Sequence, residues 1–184
     1  KRFTKSVFIT YDQKGQLLKR RFANTLISSS QRLTYKQADS ILKDRTKNFS
    51  KKIIKILKSA ETLSRVIETR RRKNGMIHLD LPETELIFDK SGRVVDAEPA
   101  DTSYPHTIIE MFMVEANEAV ASLFDRINIP IMRRIHPEPD TLTLKSLSQL
   151  VKSLGLSLPK KASKHDIQQL ISAVSGKDLS LPIN

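Results

Sequence analysis

The stretch that decides the fold is PHTIIEMFMVEANEAVASLFDRI, residues 105–127. Ile108, Ile109, Phe112, Met113, Ala116, Val120, Leu123, Phe124 and Ile127 recur at the three- and four-residue intervals that bring side chains to one side of a helix. Pro105 suits a first helical turn, where a missing N–H leaves no bond unmade. The spacing predicts a central core helix of about six turns with that broad apolar stripe buried.

Upstream, Ser6 to Asp12 and Gln16 to Ile27 flank the turn Asp12-Gln13-Lys14-Gly15, a hairpin signature. Thr34 stands where a helix N-cap belongs, ahead of Tyr35, Ala38, Ile41 and Leu42. A longer helix follows, with Ile53, Leu57, Ala60, Leu63, Ser64 and Ile67 on one stripe and Lys51, Lys52, Lys55, Lys58 and Arg65 elsewhere. It ends in Arg70-Arg71-Arg72-Lys73-Asn74-Gly75, read as a charge cap on the helix C-terminus or as a phosphate contact. From Met76 the pattern turns to extended segments: Ile77 to Leu81, then Glu85 to Asp89 and Arg93 to Glu98 around the turn Asp89-Lys90-Ser91-Gly92. Downstream of the core helix, Ile129 to Ile135 reads as a short strand broken by Pro137-Glu138-Pro139-Asp140. Two shorter helices, about Leu142 to Leu154 and Lys164 to Val174, complete the pattern. The class is α+β, a mixed sheet with hairpins packed against several helices.

Charge is divided unevenly over the 184 residues. The net +12 is made of +16 in residues 1–73, where 21 Lys/Arg face 5 Asp/Glu, and −4 in residues 74–184, where 11 face 15. A positive field of that size attracts a polyanion by releasing its condensed counterions, and nucleic acid is the commonest such partner. Well-solvated Lys-rich helices are the other reading. The chain has no cysteine, which excludes disulfides and thiolate metal sites and fits a reducing cytoplasm. No apolar run approaches the roughly 20 residues that cross a bilayer, and no secretory signal opens the chain. It begins at Lys1 rather than Met, which points to a fragment.

The usual catalytic arrangements are missing. His78, His106, His136 and His165 form no helical pair of the metalloprotease kind, the glycines form no phosphate loop, and no serine lies in a nucleophile elbow. Asp80, Glu83 and Glu85 are near one another in sequence, and a solvated edge is the better reading of them than a magnesium site. By its own residues the chain is a nucleic-acid-binding segment without an evident active site.

Several stretches, in order, resemble the RNB catalytic domain shared by ribonuclease II and ribonuclease R. FITYDQKG (8–15) with FANTLI (22–27) resembles the family's hairpin after its first conserved block, and QRLTY (31–35) its R-L-T-Y helix start. LSR (63–65) through RRR (70–72), then GMIHLDLPE (75–83), resembles its long helix and the G-x-x-x-L-D-x-P-E strand behind it. HTIIEMFMVEANEAVA (106–121) is similar to H-R-L-I-E-E-F-M-L-L-A-N-E-A-V-A, and RRIHPEPD (133–140) to R-x-H-x-x-P-D. The resemblance covers about residues 5 to 155 and breaks the chain into hairpin strands (1–33), a basic helical segment (34–75), a hairpin and core helix (76–136) and a helical segment (137–184), all within one incomplete RNB-type domain.

The resemblance implies a magnesium-dependent, processive 3′-to-5′ exoribonuclease as the full-length parent, a monomer that hydrolyses single-stranded RNA to nucleoside 5′-monophosphates. It also implies that the aspartates that bind magnesium precede this segment and that the family's arginine motif follows it, so no catalytic or metal residue is expected here and residues 1–184 alone should be inactive. Two RNA-binding residues carry over: Tyr35, which matches a tyrosine that contacts RNA near the active centre, and Glu110, which matches the glutamate that helps distinguish ribose from deoxyribose. An aromatic face stacks on any base, and a carboxylate accepts a hydrogen bond from a 2′-hydroxyl. Met111 replaces the family's second glutamate, and His78 stands where some members have a stacking aromatic. The competing readings are a non-catalytic RNA-binding module and a protein-docking module derived from the same domain.

Overall fold

Two Asp-x-x-Gly turns build the two sheets. Strands β1 (Arg2–Tyr11) and β2 (Leu17–Ile27) pair antiparallel from Arg2 opposite Ile27, with a register shift between Thr10 and Tyr11. Asp12 closes their turn by accepting at Oδ1 from the N–H of Lys14 and of Gln16, both at 2.8 Å. Gly15 takes a left-handed φ of 75°, and a Cβ there would lie 2.8 Å from Val66 Cγ1 and 3.1 Å from the Val66 carbonyl oxygen, so only glycine fits. The second hairpin repeats the device, with Asp89 Oδ1 accepting from the N–H of Ser91 and of Arg93.

The computed structural model describes residues 1–46, 48–78, 83–135, 139–159 and 162–174. Helices α1 (Tyr35–Leu42) and α2 (Lys51–Lys73) precede the second hairpin, β3 (Thr84–Phe88) and β4 (Val94–Pro99); helices α3 (Tyr104–Arg126), α4 (Thr141–Ser153) and α5 (Lys164–Val174) follow it. The α+β class holds. Among the described residues the strands form two separate two-stranded antiparallel ribbons instead of one mixed sheet. Chain packing separates two units, Lys1–Arg71 with Thr102–Arg133 and Arg72–Asp101 with Arg134–Asn184.

In the first unit the core gathers Ala38 and Ile41 of α1, Ser64 and Ile67 of α2, and Ile108, Met111 and Ala119 of α3. The stripe expected on the core helix is rotated. Ile109, Met113, Val120 and Ile127 stand exposed, while Met111, Glu115 and Ala119 are buried. A helix apolar around most of its circumference has no unique inner face by periodicity alone, and here the buried face follows the ion pairs of Glu115. Just past the Ile127 cap that closes the helix, Asn128 takes a left-handed φ of 54° and lets the Ile129 N–H reach the Phe124 carbonyl at 3.0 Å.

The strand expected over Ile129 to Ile135 is not formed. Pro130 has no donor, no strand among the described residues pairs with this segment, and Met132 is 100% exposed. Likewise Ile77 and His78 lie in no strand, and the rest of the expected segment, Leu79 to Leu81, lies outside the described residues.

In the second unit, Asp140 caps α4 by accepting from the Thr143 N–H at 2.7 Å, and Val151, Leu170 and Val174 are buried. Gln168 of α5 donates to the carbonyls of Arg72 and Met76, tying that helix to the chain around the glycine stop at Gly75.

Candidate nucleic-acid interface

Tyr35 owes its place to a helix cap. Thr34 Oγ1 accepts from the Gln37 N–H at 3.2 Å, and Gln37 Oε1 accepts from the Thr34 N–H at 2.9 Å, a reciprocal box that starts α1 at Tyr35. Ala38 and Ile41 are buried and hold α1 down, while Tyr35 stays 42% exposed. Its ring stacks on His106 from the first turn of α3, with centroids 3.5 Å apart and planes 19° from parallel. Glu110 is exposed one turn further along the same helix, and residues four apart on a helix are neighbours on its surface. Tyr35, His106 and Glu110 therefore form one ridge in the first unit. The two expected RNA-binding residues, 75 positions apart in sequence, are linked through a histidine for which the sequence suggested no RNA role.

α3 is fastened to α2 at two levels. Near its start, the Tyr104 hydroxyl donates to Glu68 Oε2 at 3.1 Å, and the Arg65 guanidinium lies 3.9 Å from the Tyr104 ring centroid. Burial, together with the neighbouring Glu68 carboxylate, raises the Tyr104 phenol above its ordinary value despite the opposing Ser64 hydrogen bond. Mid-helix, Glu115 is only 8% exposed and gathers three partners from two elements, β1 and α2. The Tyr11 hydroxyl donates to its Oε2 at 2.6 Å, Arg71 donates to its Oε1 at 2.8 Å, and Arg70 pairs with the same Oε1. Arg70 also donates to the Gly15 carbonyl at 2.8 Å, and Arg71 to Glu118 at 2.8 Å.

Burial alone would raise the carboxyl of Glu115. The hydrogen bonds from Tyr11 and Arg71 and the charges of Arg70 and Arg71 outweigh it and hold the group below the usual carboxylate range. Burial and the facing carboxylate push the Tyr11 phenol up. Two cations of the basic run at the end of α2, Arg70 and Arg71, are thus engaged by carboxylates of α3, a role that neither charge capping nor phosphate contact includes. Sequence reasoning missed this cluster, whose one visible signal was a charged residue inside an apolar motif.

Basic side chains remain on the surface. Lys51, Lys55, Lys58, Ser59 and Thr62 line an open groove of about 470 Å³ along α2, with Lys58 donating to Asp44 at 2.6 Å. Arg21 lies 4.0 Å from the centroid of Phe8, directly opposite it in the β1–β2 ribbon. Among the described residues no three His, Asp or Glu side chains converge as metal ligands, and no helix is long and apolar enough to cross a membrane. Glu83 and Glu85 are exposed, and Asp80 lies outside the described residues.

A basic α+β segment that presents an aromatic ring beside an exposed carboxylate has the composition of a nucleic-acid interface. The RNB domain matches residues 1–181, and the chain belongs to the RNB family. It is 30% identical to ribonuclease R of Thermotoga maritima over 182 residues, covering 97% of this chain and 26% of that protein. Against ribonuclease R of Escherichia coli K12 the identity is 28% over 174 residues, covering 92% and 21%. The fold matches apo RNase R of Mycoplasma genitalium with a TM-score of 0.90 at 25% identity, covering 99% of this chain and 29% of that one. It matches the same enzyme in complex with double-stranded RNA with a TM-score of 0.88 at 26% identity, covering 99% and 34%. The chain spans about a quarter of the length of the curated relatives it matches.

Proposed function

We propose that residues 1–184 are the RNA-holding middle of a magnesium-dependent, processive 3′-to-5′ exoribonuclease that degrades single-stranded RNA to nucleoside 5′-monophosphates in the cytoplasm. The observation that carries this reading is the RNB match over residues 1–181 together with the fold shared with RNase R. The ridge of Tyr35, His106 and Glu110 supports it, because the ring offered to a base stacks on His106 and the carboxylate offered to a ribose hydroxyl lies one helical turn beyond that histidine. Magnesium held by carboxylates elsewhere in the complete protein supplies the hydrolytic chemistry. This segment contributes a basic surface that draws in the strand, a ring on which a base stacks, and an acceptor that selects ribose.

The test is release of mononucleotides from the 3′ end of single-stranded RNA by the complete protein. Magnesium-dependent release that stops with chelator is the expected result. RNA binding without any release would favour the non-catalytic module, and neither binding nor release would favour protein docking. Residues 1–184 alone are expected to release no mononucleotide, and chelator-sensitive release by that piece would reveal a site within it.

A further inference from the structure

We propose that His106 is a positioning residue for RNA: it holds the ring of Tyr35 in the plane in which a base stacks. The inference rests on the reading of Tyr35 and Glu110 as RNA contacts. A helical side chain is ordinarily steadied by the turn that precedes it. Tyr35 is the first residue of α1 and has no such turn, and its ring is 42% exposed. The support comes from another helix. His106 covers the ring at 3.5 Å and 19°, and is itself set by the first turn of α3, where Pro105 and Ile108 are buried. A base on Tyr35 would make the third layer of a stack whose lowest layer is the imidazole.

His106 also sets the distance to Glu110. The two residues are four apart, about 6 Å along the helix axis, so fixing the tyrosine on the imidazole fixes it relative to the carboxylate one turn on. A single nucleotide then meets both groups, its base on the ring and its ribose at the carboxylate. Since every base has a flat face, the contribution of His106 should be indifferent to base identity.

The experiment measures binding of fluorescein-labelled single-stranded oligo(A) and oligo(U) to the complete protein in chelator, with melting curves for each variant. Tyr35→Ala is expected to weaken both by about five- to a hundredfold, and His106→Ala by about two- to tenfold. The double variant should bind no more weakly than Tyr35→Ala alone, because His106 acts through the tyrosine. His106→Phe should keep native affinity and His106→Leu, which fills the space without a flat ring, should not. If His106→Ala melts low, the Phe and Leu pair decides by the same criterion. A loss on Tyr35→Ala with none on His106→Leu, or additive losses in the double variant, would overturn the positioning role and leave the RNA-contact reading standing. No loss on Tyr35→Ala would remove that reading and this proposal with it.

Discussion

Glu110 and Glu115 sit five residues apart on one helix and have opposite fates. Glu115 is turned into the first unit, where Tyr11, Arg70 and Arg71 enclose it; Glu110 is exposed, one turn beyond a stacked aromatic pair, and makes no side-chain hydrogen bond or ion pair among the described residues. The same functional group holds the scaffold in one place and faces solvent in the other. Rotation about the helix axis separates the roles: five residues advance a helix by more than one turn, so the two carboxylates point to different sides. Damage at the first should read out as stability, and damage at the second as selectivity.

The largest effect is expected from Glu115→Ala in the complete protein. Removing the central partner of a buried charge cluster takes the acceptor from the Tyr11 phenol and leaves Arg70 with the Gly15 carbonyl and Arg71 with Glu118, at a cost of about 3–5 kcal/mol. A drop in melting temperature with loss of RNA binding would follow, and a native melting curve would break the contrast. Gly15→Ala comes next at about 2–4 kcal/mol, because a left-handed φ and a contact with the Val66 backbone act together. It should also shift the carbonyl that Arg70 engages.

Acidity sharpens the same comparison. The folded-state value of Glu115 lies below its ordinary 4.5, so its ion pairs contribute fully above about pH 4.5 and are lost as pH falls through the lowered folded value. The stability difference between the native protein and Glu115→Gln should therefore be constant near neutrality and shrink in acid. Denaturant titrations between about pH 7 and about pH 3 would measure it, and a difference that grew in acid would contradict the sign.

A smaller and more diffuse effect belongs to the basic surface. RNA affinity should fall with log salt at roughly 0.7 per phosphate neutralised, and Lys51→Ala combined with Lys55→Ala should reduce that slope without changing base preference. A salt-independent affinity would point instead to protein docking.

Much of this was legible before any coordinates. The turns at Asp12 and Asp89, the Thr34 cap and the two closing helices are local devices, written in residues a few positions apart. What stayed hidden depends on distance in sequence. The inner face of α3 was misread because Ile109, Met113 and Val120 are as apolar as Ile108 and Met111, and only Arg70 and Arg71, over forty residues upstream, select the side carrying Glu115. Ile129 to Ile135 carries strand-forming residues, but a strand exists only with a neighbour to accept its N–H groups. Tyr35 and Glu110 were assigned through resemblance alone, and His106 as their link required the stacked rings.

The most direct test of the division between the two glutamates is the ratio of RNA to DNA turnover in Glu110→Ala of the complete protein, taken with its melting curve. A hydrogen bond to a charged group is worth about 1.5–3 kcal/mol, so the preference for RNA should narrow by roughly ten- to a hundredfold through loss of RNA turnover, with melting unchanged. An unchanged ratio with a native melting curve would contradict the account and leave Glu110 an ordinary surface residue of α3.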